Sequence, residues 1–169
     1  MKKFAALLLA VMMVLALAAC GEEAPQASGS AEPTPTTVGQ ILYKDFKDKL
    51  SADPSMSAQA MADALLTNEI IQFMGASMPV ENGLLMGFGN TEITGFQEGV
   101  MFAPAIGSIP FIGYIFTLEE GADVAAFEQL LKDNADLRWN ICTEAEETVV
   151  GSQGNKVFFV MAPMSFEEQ

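Results

Sequence analysis

Histidine is absent from all 169 residues. Ser–His and Cys–His nucleophilic catalysis, histidine zinc sites and imidazole proton relays go with it. Cysteine is almost absent too. Cys20 and Cys142 are the only two, too few for a four-thiolate metal site and too far apart for a CxxC redox motif. Basic residues are scarce, with eight Lys and Arg against 22 Asp and Glu, for a formal net charge of −14. A surface so acidic repels phosphate backbones and excludes nucleic acid as a partner. There is no Walker A loop and no EF-hand loop. Gly87-Phe88-Gly89 is not a dinucleotide fingerprint, because Glu92 stands where the third glycine belongs. The common hydrolases and oxidoreductases are left without their working side chains.

What is present starts at the N-terminus. Met1-Lys2-Lys3 is positive, and Phe4 to Ala19 runs without acid, base, Gly or Pro. That pattern fits a secretory signal and is too short to span a bilayer comfortably. It ends in Leu17-Ala18-Ala19-Cys20, which resembles the lipobox of bacterial lipoproteins. The resemblance implies transfer of a diacylglyceryl group to the Cys20 thiol and cleavage before Cys20. It also implies retention, by palmitate-like acyl chains, on the extracytoplasmic face of the cell membrane. More than one acyl chain gives stable anchoring where a single chain gives marginal binding. With Cys20 acylated, Cys142 is the one remaining thiol and no intrachain disulfide is expected.

The resemblance and the composition together imply three segments: a signal peptide over 1–19, lipidated Cys20 with a linker to residue 37, and a single domain over 38–169. Gly21 to Thr37 has no aromatic and no large aliphatic residue, and it holds Pro25, Pro33 and Pro35. Nothing in it offsets the entropy of ordering, so it is expected to be a disordered spacer. As a flexible coil it would reach roughly 20–25 Å.

From Val38 the pattern becomes helical. Val38, Ile41, Leu42, Phe46 and Leu50 share one face, Lys44–Asp48 and Asp45–Lys49 can pair on the other, and Asp53-Pro54 ends the run. Ser57 is placed to cap a second helix in which Met61, Ala62, Leu65, Leu66 and Ile70 face inward. Glycines and Pro79 then punctuate short apolar pieces such as Leu84–Phe88. Gly99 to Leu118 carries no charge and could pass for a membrane span. However, Pro104, Gly107, Pro110 and Gly113 lie inside it, so two buried strands near Phe96–Ala103 and Phe111–Leu118 are expected instead. A third helix starts at Ala122 or Asp123, with Val124, Phe127, Leu130, Leu131 and Leu137 as its stripe and Glu128–Lys132 paired outside. Thr148–Gly151 and Val157–Met161 around Ser152–Asn155 read as a hairpin. Together these predict an α+β fold, an antiparallel sheet of about four to five strands packed with about three helices.

Gly113–Asn134, GYIFTLEEGADVAAFEQLLKDN, and GNKVFFVM at Gly154–Met161 resemble a layout found in short uncharacterised lipoproteins of anaerobic Gram-positive bacteria. The resemblance implies an architecture and a compartment, and it brings no site residues.

Three groups of residues carry chemistry. The carboxylates Glu119, Glu120, Asp123, Glu144, Glu146 and Glu147 could do acid–base work or bind calcium, although turns and helix starts attract acids anyway. Met56, Met61, Met74, Met78, Met86, Met101, Met161 and Met164 include spacings that suit Cu(I), but methionine also fills irregular cores. Trp139 could meet a partner and Cys142, beside Arg138, could react; both are expected to be buried. A pocket, if formed, is expected near Gly83–Gly95 and Pro104–Pro110, where backbone can approach a ligand. The reading is a non-catalytic binding or interaction module with no cofactor, joined to the membrane through Cys20 and meeting a protein or small-molecule partner. A carboxylate-dependent enzyme and a methionine-based copper handler are the alternatives.

Overall fold

The computed structural model describes residues 34–166. The expected signal segment, Cys20 and the linker up to residue 33 lie outside them. Helix α1 (Val38–Ala52) opens where the Thr37 side chain accepts from the Gln40 N–H, and Asp53 closes it before Pro54. Its periodic Val38, Leu42, Phe46 and Leu50 are all buried, with Lys44–Asp48 and Lys49–Asp45 paired along the helix. Helix α2 (Ala58–Leu65) is capped by Ser57, which accepts from the Ala60 N–H, and it buries Met61, Ala62 and Leu65. It stops sooner than the apolar spacing suggests. Ile70 reaches the same core from the following loop.

Seven strands follow: β1 (Gly75–Val80), β2 (Gly83–Leu84), β3 (Glu92–Ile93), β4 (Phe96–Pro104), β5 (Ile112–Leu118), β6 (Glu147–Gln153) and β7 (Lys156–Ala162). Five make one antiparallel sheet in the order β1-β4-β5-β7-β6, and β2 and β3 form a separate small ladder. With helices α1, α2 and α3 (Val124–Asn134), this is the expected α+β architecture.

The strand alternation sends side chains to two different cores. Val100, Phe102, Ile115, Phe158 and Val160 face α1 and α2, against Leu42, Phe46, Met61 and Leu65. Ile112, Tyr114, Phe116, Phe159 and Met161 face the other way, against Phe127 and Leu131 of α3 and against Phe88 and Ile93. The inner strands β5 and β7 are therefore covered on both sides, and every residue of β7 is buried. A strand in that position reads as a continuous apolar run, which explains the long charge-free stretch without a membrane span. Among the described residues no helix is long and apolar enough to cross a membrane.

Local details follow from chain chemistry. The β6–β7 hairpin turns through Gly154-Asn155, with Gly154 at φ 63°, the position that a two-residue turn reserves for glycine. Pro79 lies inside β1, which sequence reading treats as a break. The Ala105 N–H donates to the Met74 carbonyl, so alternation points the backbone groups of Gly75, Ser77 and Pro79 away from β4. On this edge strand the missing N–H of Pro79 therefore removes no ladder bond. Helix α3 is capped by the Asp123 side chain, which accepts from the Ala126 N–H, and it ends before Leu137. Leu137 packs on the second core from the segment that follows.

Gly113 pairs with Phe102 across β4 and β5, and a Cβ on it would come within 2.2 Å of the Phe102 ring. Both residues are fully enclosed, so the ring has nowhere to go. Gly113→Ala should destabilise the domain by about 1–3 kcal/mol in urea denaturation. Tyr114 is buried, and its hydroxyl donates to the Met86 carbonyl at 2.8 Å. Burial pushes its ionisation well above the ordinary phenol range. The unfolded phenol ionises near pH 10 and the folded one only at higher pH. The stability it contributes is thus complete below about pH 10 and lost as pH rises further. The urea midpoint should fall on that alkaline limb, and Tyr114→Phe should flatten the fall.

Candidate functional site

The sheet has two ends with different chemistry. At one end β5 starts and β7 finishes. There the 105–111 loop, the 143–146 segment and the tail after Ala162 converge around an open groove of about 1520 Å³. One wall is Ser108, Ile109 and Pro110, the second is Thr143, Glu144 and Glu146, and the third is Pro163 to Phe166. Phe166 pins the tail by packing on Phe73 and Phe111, with ring centroids 5.5 and 6.3 Å away. The Thr143 hydroxyl donates to the Ser108 carbonyl at 2.9 Å and ties two walls together. Both carboxylates in the groove are engaged. Glu146 accepts the Met164 N–H at 2.7 Å, and Glu144 lies 3.4 Å from Arg138.

The start of α1 is fastened beside this groove. Glu147 accepts from the Thr37 hydroxyl at 2.7 Å and from the Gly39 N–H at 2.8 Å. The Val38 N–H donates to the Met164 carbonyl at 3.1 Å. A Cβ on Gly39 would stand 2.6 Å from Val149, so only glycine lets the helix approach β6 this closely. The point at which the chain enters the domain is therefore fixed, and Met164 belongs both to that junction and to the groove. Sequence reading had no signal for the Glu147 clamp, because its partners are more than a hundred positions away.

At the opposite end Glu119, Glu120, Gly121, Gly154 and Asn155 border a shallow hollow of about 430 Å³. The six expected carboxylates are thus split between the two ends of the sheet. Glu119 and Glu120 are exposed, Asp123 is a helix cap, and Glu144, Glu146 and Glu147 bind Arg138 or backbone and hydroxyl groups. No two of them share an enclosed environment of the kind that separates an acid from a base. Among the described residues no group of three His, Cys, Asp or Glu is placed to hold a metal ion.

The methionines also divide. Met61 and Met161 fill cores, as expected, but Met74, Met78, Met86 and Met164 are exposed by half or more. Met161 is enclosed in β7 while Met164 is on the surface, so that pair does not open on a common site. Trp139 is half-buried against the second core. Cys142 is exposed, contrary to expectation. Its N–H donates to the Asn140 side chain, and the Thr143 N–H closes on the Asn140 carbonyl. That Asn-led turn projects Ile141 and Cys142 into solvent.

Of the two places expected to form a pocket, the 104–110 loop supplies a wall of the groove. The 83–95 connection instead closes the short β2–β3 ladder and covers the second core through Phe88 and Ile93. No family model, curated protein or solved structure matches this chain.

Removing the Glu147 carboxylate strands the Gly39 N–H and frees Thr37. Glu147→Ala should lower unfolding free energy by about 1–2 kcal/mol, and Glu147→Gln, which keeps one acceptor, by less. Paired urea titrations check both.

Proposed function

We propose that this chain is a lipid-anchored extracytoplasmic protein and that its domain is a non-catalytic binding module. The observation that carries the reading is Leu17-Ala18-Ala19-Cys20 behind a positive start and an uninterrupted apolar run. Export and acylation put the protein on the outer face of the membrane and hold it there. The missing histidine, the engagement of Asp123, Glu144, Glu146 and Glu147 in a cap, clamps and an ion pair, and the open exposure of Glu119 and Glu120 support binding over turnover.

The groove at the end of β7 is the binding surface in this reading. It offers apolar contact through Ile109, Pro110 and Phe166, and hydroxyls from Ser108, Thr143 and Ser165 set orientation. Concave surfaces with a few directional polar groups on an apolar lining suit recognition. Cys20→Ser should abolish labelling by radioactive palmitate, leave the precursor unprocessed by the lipoprotein route and change its fractionation. Unchanged processing and acylation would remove the proposal.

A further inference from the structure

Among the described residues, the three most exposed large apolar side chains belong to segments near the place where the chain enters the domain, while Leu84 and Met86 are exposed elsewhere. Ile141 is 99 % exposed, Ile106 77 % and Met74 74 %, and Met164 is exposed beside the groove. Hydrogen bonds join the segments that carry them. Met74 accepts from Ala105 next to Ile106, Ser108 accepts from Thr143 near Ile141, and Met164 accepts from Val38 at the start of α1. Four large apolar residues from four separate segments thus project from one end of the sheet, the end that the N-terminal segment joins.

The acids at this end are engaged: Glu147 by Thr37 and Gly39, Glu146 by Met164 and Glu144 by Arg138. Glu119 and Glu120 stand exposed at the far end. Carboxylates bound by neutral donors keep their charge, so both ends are acidic, and apolar contact and the tether carry the docking. Isolated apolar side chains bind a bilayer feebly. A tether on the same end holds them at high local concentration, so a small gain per residue suffices.

We propose that this end of the domain docks on the lipid surface, with Met74, Ile106, Ile141 and Met164 entering the headgroup region. The docking rests on the acyl anchor at Cys20. It turns the groove toward the bilayer, so whatever the groove takes is reached along the membrane surface.

Cys142 supplies the probe, being next to Ile141, exposed, and the one thiol left once Cys20 is acylated. The full lipoprotein, labelled there with an environment-sensitive fluorophore, would be reconstituted in phosphatidylcholine vesicles bearing nitroxides on their acyl chains. The expected result is a blue-shifted emission quenched by the nitroxides. A label on the far end, in the Glu120→Cys, Cys142→Ser double variant, should stay unquenched. Ile106→Glu with Ile141→Glu, both on exposed positions, should abolish quenching at Cys142 while the vesicles still float the protein. Flotation with no quenching at Cys142, or with equal quenching at both ends, overturns the docking and leaves the anchor standing. Failure of the unsubstituted protein to float overturns both.

Discussion

Strands β5 and β7 have no solvent face, and this double burial governs the other features of the domain. An antiparallel sheet this small usually packs on one side and meets water on the other. Here one side is closed by α1 and α2, and the other by α3 together with Phe88 and Ile93. Covering both sides with so few residues leaves little slack. Glycine is then required where a ring or a helix lies directly on the backbone, as Gly113 under Phe102 and Gly39 against Val149 show. Charged groups are pushed to the ends and edges. Among the described residues Lys156, at the start of β7, is the charged side chain that is buried, and its ammonium donates to the Thr117 hydroxyl, which in turn donates to Glu98.

Much of this was legible from local chemistry. Ser57 was legible as a cap and Ala122 or Asp123 as the start of α3. The apolar period of α1 gives all but Ile41 correctly as buried, whereas Thr37, read as the end of the linker, caps α1. Pro104 and Pro110 inside a charge-free run were enough to separate two strands from a membrane helix. Boundaries were less legible. Leu66 and Ile70 continue a helical spacing after α2 has ended, and Leu137 does so after α3, because a core accepts an apolar side chain from a loop as readily as from a helix. Pro79 misled for a different reason. Its tolerance depends on which edge of the sheet is open, and that is decided by pairing with β4 far along the chain.

The groove was only partly legible. The 104–110 loop could be suspected from its composition, but its opposing walls come from the 143–146 segment and the tail, joined by contacts that leave no trace in local sequence. The carboxylates illustrate the same limit. Their number suggested acid–base chemistry, whereas their positions assign four of them to a cap, clamps and an ion pair and leave Glu119 and Glu120 in solvent. Cys142 was expected to be buried, as free cysteines commonly are. Asn140 places it instead on an outward turn, a local signal outweighed by the apolar Trp139 and Ile141 beside it.

The junction at the start of α1 also has a mechanical meaning. Because Val38 is bonded to the tail of β7 and Glu147 at the head of β6 grips Thr37 and Gly39, tension on the N-terminal segment passes directly into the sheet. A pull that would otherwise unwind the helix from its first turn must first break those clamps.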